Sequence, residues 1–411
     1  MADVDTGLTV RFSALGRETT NVTEWEIDSA YLVSTDGFRF RLFEEDQALI
    51  TNLEFQPVDL IVNGATQLAG RIDQTVRGET AKTIRCEGRD YIAELVECNV
   101  DPLVKVAAGD TLETALRNAM SPCGITVIID ASESVALDTR LGMPKQKRRK
   151  STAKRPRKTK PLSSDYKAKP GEGIYEFCKR ITDRLGTTMQ PDVDRSTVIL
   201  SEPDYTQAPW YAIKRTDDTV GSASNNVISA TATRDYSSFP TYALFTGNSP
   251  QTGDSAGNRL DSEFNLVDYV ETVVQGRSLL PQMQTVVDLA EIGRRLPNGK
   301  SRNTNKIYRL LYYRDQDAKD PEQIDNAIVK AVAELLKDSL SYTVTVRGHV
   351  EPESGAIWTV NTMCEVNDST AGINENLWIA RRTLKYSPNQ GATTDLEMWR
   401  PGAFVITADT E

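Results

Sequence analysis

Histidine is almost missing from this sequence: His349 is the only one. A histidine-based triad or a multi-histidine metal site would have to rest on that single residue, which leaves little room for the usual enzyme chemistry. Cysteine is nearly as sparse. Cys86, Cys98, Cys123, Cys178 and Cys364 are scattered, odd in number and never spaced as CxxC. That pattern excludes a common zinc finger or ribbon and fits reduced thiols in a protein made in the cytosol. No apolar run approaches the roughly eighteen residues of a membrane span. The opening MADVDTG lacks the basic and apolar segments of a secretory signal. No phosphate-binding glycine loop or EF-hand pattern is present, so no cofactor and no metal are expected.

What is present is enough chain for two or three domains, 411 residues, with a formal net charge of -10. Such a charge favours solubility and argues against polyanion binding by the surface as a whole. The charge is unevenly spread. Lys145, Lys147, Arg148, Arg149, Lys150, Lys154, Arg155, Arg157, Lys158 and Lys160 fall in one sixteen-residue run without an acidic residue, which leaves -20 on the remainder. A run of this density resists compact packing and reads first as a solvated loop. The functional alternatives are phosphate contact with nucleic acid or docking on an acidic protein surface. No aromatic residue interleaves it, so base stacking is not indicated.

The first hundred residues are patterned as strands. Leu8, Val10 and Phe12 alternate with polar neighbours, and a hairpin is expected from Ala30 to Ser34 through Asp36-Gly37 to Phe38, Phe40 and Leu42. Phe55, Val58, Leu60 and Val62 lead to an Asn63-Gly64 turn with Leu68 to Val76 returning, and Lys82 to Glu87 is a further strand. Gly88-Arg89-Asp90 reads as a turn into a brief closure ending at Cys98. From Asp110, an expected N-cap, Leu112, Ala115, Leu116, Ala119 and Met120 share a helix face. Pro122 and Gly124 end that helix, and Ile125 to Ile129 is a strand. The stretch Lys169 to Tyr205 repeats the outline: a breaker cluster, a helix striped by Ile174, Phe177, Cys178, Ile181 and Leu185, Gly186 beyond it, then a hairpin of Thr187 to Met189 and Thr197 to Leu200.

In the last section Val227 to Thr233, Tyr242 to Gly247 and Lys306 to Tyr313 read as strands, and Asn248 to Asn258 as a loop. A helix starts at Asp320-Pro321 with Gln323 at N3 and carries an apolar stripe from Ile324 to Leu336. Strands follow at Ser341 to Gly348, Ile357 to Val366, Leu377 to Tyr386 and Asp395 to Trp399. Trp358, Trp378 and Trp399 are expected in core or interface packing, and His349 at an exposed strand end. The expected class is α+β, mainly β: two tube-type antiparallel β-barrel domains with an inserted small α/β domain. Their bounds are 1–100, 101–215 with a basic insert at about 141–168, and 216–411 with a loop and helix inserted at about 248–340.

Several short motifs in this order resemble the baseplate hub proteins of contractile-tailed phages such as Mu. They are Gly70-Arg71-Ile72, Gly88-Arg89-Asp90 leading to Leu95-Val96-Glu97-Cys98, the helix and hairpin Gly171 to Pro203, and the helix Pro321 to Leu336 running into Thr343 to Gly348. Ile357 to Asn361 and Arg400-Pro401-Gly402-Ala403-Phe404 complete the set. The basic run is outside that pattern. The resemblance, shared with the N-terminal part of type VI secretion spike proteins, implies a non-enzymatic homotrimer. Six barrels would form a pseudo-sixfold ring, adapting the tail tube above to the central spike below and letting DNA pass. Tape-measure and baseplate wedge proteins are further implied partners, and the place of action would be the virion baseplate after synthesis in the host cytoplasm. An acidic bore would let DNA slide. Two other classes remain in view. A hub-borne cell-wall hydrolase would need a carboxylate pair, for which Asp90, Glu94 and Glu97, or Asp194 and Asp204, are available without a distinguishing spacing; carboxylates so placed read first as solvated surface groups. A protein binding DNA or tape measure would act through the basic run.

Overall fold

The computed structural model describes residues 7–43, 53, 55–77, 83–130, 157–159, 161–162, 165–192, 195–203, 205, 207–216, 226–235, 333–334 and 336–404, and the backbone of 242–246, 261–265 and 310–314. It is mainly antiparallel β with few helices, as expected. No helix among the described residues is long and apolar enough to cross a membrane.

The first section contributes β1 (Leu8–Phe12), β2 (Arg17–Thr19), β3 (Val22–Ala30), β4 (Gly37–Phe43), β5 (Pro57–Val62), β6 (Ala65–Arg77) and β7 (Thr83–Asp90). Their inward residues, among them Val10, Phe12, Trp25, Ile27, Phe40, Leu60 and Ile84, meet in one core. Asn63 and Gly64 both take positive φ, 49° and 79°, and close β5 onto β6 as a two-residue hairpin turn. The strand partnering β4 is β3, not the expected Ala30 to Ser34. The β-prone stretch after Ala30 is a loop: Leu32 and Val33 are exposed, while Tyr31 turns inward to pack on Trp378. Phe55 lies ahead of β5 and is 72% exposed. Gly88 to Asp90 is not a turn but the end of β7, paired with β4 and β6.

The middle section holds α1 (Ala93–Glu97), β8 (Lys105–Val106), α2 (Leu112–Met120), a 3-10 turn at Ser121–Cys123, β9 (Val127–Asp130), a second 3-10 turn at Arg157–Thr159, β10 (Tyr166–Lys167), α3 (Ile174–Arg184), β11 (Thr188–Pro191) and β12 (Thr197–Ser201). The cap of α2 is Thr111, whose hydroxyl accepts from Thr114 N at 3.2 Å; Asp110 instead accepts from Ala107 N at 2.8 Å. The apolar stripes of α2 and α3 share one core, and β12 pairs β11 antiparallel and β9 parallel beneath them.

The last section adds β13 (Tyr211–Arg215), β14 (Val227–Thr233), β15 (Tyr242–Thr246), β16 (Asp261–Asn265), β17 (Leu310–Arg314), β18 (Ser341–Arg347), β19 (Met363–Asp368), β20 (Ile373–Ser387) and β21 (Gly391–Trp399). Residues 333–334 and 336–339 are helical and bury Ala333 and Leu336. The start of the expected 320–336 helix, the 248–258 loop, and the side chains of Tyr312 and Tyr313 lie outside what is described. Trp358 and Trp378 are fully buried and Trp399 nearly so. Residues 357–362 depart from the expected strand. Asn361 has φ +58°, and backbone carbonyls there are taken by side chains: Tyr211 Oη donates to Ile357 O at 2.7 Å, Arg382 to Trp358 O, and Gln207 Nε2 to Asn361 O at 2.9 Å.

The two β sections are one sheet. Its path is β14-β18-β21-β20-β3-β4-β7-β6-β5-β1-β2, with β19 attached to β20 and β13 to β19; β16, β15 and β17 form a separate three-stranded sheet. The fifteen-residue β20 makes this possible by changing partner at a register shift between Ile379 and Arg381. Before the shift it pairs β19; after it, Arg381 to Tyr386 pair with Ala30 to Trp25 of β3. Each half wraps its own core, but among the described residues no ladder closes either into a barrel.

Candidate functional site

Two arrangements of charge dominate the described surface. The first is a clasp joining β6 and β7 to α1, whose Leu95 packs in the core shared by α2 and α3. Gly70 on β6 and Gly88 on β7 lie where two backbones nearly touch: a Cβ on Gly70 would sit 2.1 Å from Arg89 O, and one on Gly88 2.0 Å from Arg71 O. Only glycine tolerates that approach, and it sets Arg71 and Arg89 side by side in register. Both guanidiniums grip Asp73, Arg71 Nε at 3.0 Å and Arg89 Nε at 2.7 Å, and both reach Glu97 of α1; Arg71 also meets Glu94 at 3.4 Å. The hydrogen bond from Arg89 and that from Arg71 hold the Glu97 carboxyl below its usual range. The shift favours the anionic form of Glu97, which is the opposite of what a general acid needs.

Asp90, next in line, is 1% exposed. Its carboxylate accepts from Asp36 N at 2.7 Å, and its own N–H donates to Asp36 O at 3.0 Å, so it fastens the β3–β4 loop. Burial, with the Asp36 carboxylate adding to it, pushes Asp90 well up. The reading of Asp90 as a solvated surface carboxylate is therefore corrected. Asp194 and Asp204 lie outside the described residues.

The second arrangement covers the seam between the sections. Arg39 pairs with Glu26, Arg41 with Glu24 at 3.0 Å, Arg85 with Glu87, Arg381 with Asp28 at 2.6 Å, and Lys385 with Asp395. Within these five pairs acid and base balance one another. A depression of about 330 Å³ at the seam is walled by the charged Glu24, Glu26, Arg39, Arg85 and Lys385 together with Trp25, Phe40 and Tyr386.

Behind the seam the last section buries its own polar groups. His349 is buried, not exposed as expected: its ring lies 4.8 Å from Trp25, and Nδ1 is 3.4 Å from Thr394 Oγ1. Burial, aided by the Arg382 charge, lowers it to about 4, so it is a neutral core residue at neutral pH. Arg400, also buried, grips Glu375 with two hydrogen bonds of 3.0 and 2.9 Å. Tyr31, Tyr205, Trp378 and Trp399 form one aromatic group where the three sections meet.

Of the basic run, Arg157 and Lys158 stand on the 3-10 turn at Arg157–Thr159, which packs on α2 and β9. Lys145, Lys147, Arg148, Arg149, Lys150, Lys154, Arg155 and Lys160 lie outside the described residues. The clasp is half visible in the sequence: the Gly-Arg pairs at 70–71 and 88–89 stand out as motifs, but nothing in them announces Asp73 and Glu97 as shared partners.

This fold is similar to that of solved tail proteins. The tail protein from Neisseria meningitidis MC58 superposes with a TM-score of 0.66 at 16% identity, over 97% of this chain and 98% of that one. The 43 kDa tail protein of prophage MuSo2 from Shewanella oneidensis gives the same TM-score and identity, over 96% and 98%. A chain of the half-lidded Francisella PdpA–VgrG complex matches at 0.52 and 7% identity, over 98% of this chain but 59% of that one. No protein-family model matches the chain, and no curated protein does.

Proposed function

We propose that this chain is a structural component of a phage tail, the baseplate hub of a contractile tail. In this reading three copies form a ring that adapts the sixfold tail tube to the threefold spike and lines part of the DNA channel. The observation that carries it is the union of two β sections into one sheet through β20 and β3. Two β-rich units per chain, each with its own core, are what a homotrimer needs to present six to a sixfold partner. The near full-length likeness to two tail proteins supports it.

On this reading the chain divides at 1–100, 101–215 and 216–411, and the work is done by interfaces, not catalysis. The partners are tube, spike, tape-measure and wedge proteins, and the setting is the virion baseplate after synthesis in the host cytoplasm. The balanced seam suits the role, because paired arginines and lysines have little charge left with which to hold phosphate. The hydrolase alternative loses ground, since Glu97 is locked by two arginines and Asp90 is enclosed. The test is solution mass together with class-averaged images of the purified chain. A threefold ring with a central hole is expected; a stable compact monomer at high concentration would overturn the hub.

A further inference from the structure

Two thiols meet beside the clasp. Glu94 O of α1 accepts the N–H of Cys98, just past the end of that helix, at 3.0 Å, and the Sγ of Cys123 lies 3.9 Å from the same oxygen. Both residues thus converge on one carbonyl oxygen, and Cys98 is close enough to raise the Cys123 thiol. Cys98 is exposed and Cys123 half-buried, on the 3-10 turn that follows α2. The remaining thiols differ: Cys86, Cys178 and Cys364 are buried.

We propose that Cys98 and Cys123 form an intramolecular disulfide, with a small-molecule disulfide such as oxidised glutathione as the oxidant. The exposed Cys98 thiolate attacks the oxidant, forming a mixed disulfide and releasing one small thiolate. Cys123 sulfur then attacks the Cys98 sulfur, its proton leaving with the second small thiolate, and the Cys98–Cys123 bond replaces the mixed one. The protein loses two electrons and two protons, and the small disulfide becomes two thiols. The order of attack follows from the surroundings. Burial, and then the neighbouring Cys98 charge, push the Cys123 thiol up to about 12, so it is the weaker first nucleophile. Capping Cys98 removes that charge just when Cys123 must react.

The bond would tie the end of α1, the helix gripped by Arg71 and Arg89, to the end of α2. In a reducing cytosol the pair stays open; in an oxidising medium it closes and fixes the clasped helix α1 to α2.

The test incubates the full chain with oxidised glutathione, alkylates the remaining thiols and digests with trypsin, which cuts between the two cysteines after Lys105 and Arg117. The expected product is one linked pair of peptides, two hydrogens lighter than their sum, absent from Cys98→Ser and from Cys123→Ser. Oxidised protein should melt above reduced protein, and the exposed-site variant Cys98→Ser should melt as the reduced protein does and not respond to oxidant. A stable glutathione adduct on Cys98, alkylation of both thiols after oxidation, or linkage of either to another cysteine would overturn the proposal.

Discussion

Arg381 grips Asp28 with two hydrogen bonds, Nε at 2.9 Å and Nη2 at 2.6 Å, across a strand pair whose members are more than three hundred residues apart in the chain. Thr383 donates to the same carboxylate at 2.8 Å. The pair lies just past the point at which β20 leaves β19 and takes β3 as its neighbour, so it marks the register of the seam. Arg381 is half exposed, and solvent screening limits the worth of the pair. Arg381→Ala is expected to lower unfolding free energy by about 0.5–1 kcal/mol in urea titrations at low salt, with the difference shrinking at high salt.

Gly88 makes a sharper prediction. An alanine there would put its Cβ 2.0 Å from Arg71 O and 2.5 Å from Phe38 Cζ, and the first of these is backbone that cannot move aside alone. Gly88→Ala should destabilise by about 3 kcal/mol or more. Gly37, at the start of β4, has open space where a methyl group would stand and no positive φ, so Gly37→Ala is the control and should be near neutral. Thermal melts of the two variants side by side settle the matter; equal melting temperatures would mean the close approach is not real.

How much of this can be read from the chain depends on whether local pattern and tertiary partner agree. The α3 stripe of Ile174, Phe177, Cys178 and Ile181 is periodic and buried throughout, and both its helix and the hairpin after it stand where expected. The strand β3 escapes a reading of the sequence because a register shift between Val22 and Glu24 breaks its alternation: Val22 points inward, and then Trp25, Ile27 and Ser29. Residues 357–361 mislead in the opposite way. Their β-branched and aromatic side chains suit a strand, but Arg382, Tyr211 and Gln207 supply the hydrogen bonds a neighbouring strand would have made. No local signal announces a donor from so far along the chain. The clasp follows the same rule: the glycines are legible, while the acids that complete it come from β6 and α1.

His349 is the only histidine, so its titration is separable from every other group. The unfolded chain takes up a proton near 6.5, whereas the buried ring does so only at about 4. Between those values the unfolded state binds more protons, so stability falls as pH drops through this window and levels off below it. The full difference is about 3 kcal/mol. Urea midpoints measured from pH 7.5 to 4.5 should decline for the wild type and much less for His349→Asn, which keeps a polar group near Thr394. Parallel curves for the two proteins would refute the buried neutral imidazole.

Glu97 titrates with the opposite sign. Its folded-state carboxyl is held below the usual value of 4.5 by the hydrogen bonds from Arg89 and Arg71, so its contribution is present above that value and lost as pH falls through the lowered one. Because its side chain is 41% exposed, the contribution is modest. Glu97→Gln should cost about 1 kcal/mol at pH 7. The gap from wild type should close in acid, where wild-type Glu97 is protonated as well. A gap that persists at the lowest pH would show that packing of α1, not charge, is what Glu97 provides.

The basic run asks for a measurement of a different kind, because its charge is legible while its partner is not. Ten cations without an intervening acid, in a chain otherwise at -20, form the densest basic segment, whose sign favours phosphate. If the run touches DNA, each neutralised phosphate releases counterions, and the logarithm of affinity falls with the logarithm of salt at a slope of roughly -0.7 to -0.9 per contact. Replacing Lys145, Lys147, Arg148, Arg149 and Lys150 with serine should therefore flatten that slope by about 3.5–4.5 if all five are engaged. The melting temperature should stay unchanged, since Lys145 to Lys150 include no apolar side chain for a core. An unaltered slope assigns DNA retention elsewhere and leaves an acidic protein surface as the partner that five such cations would fit.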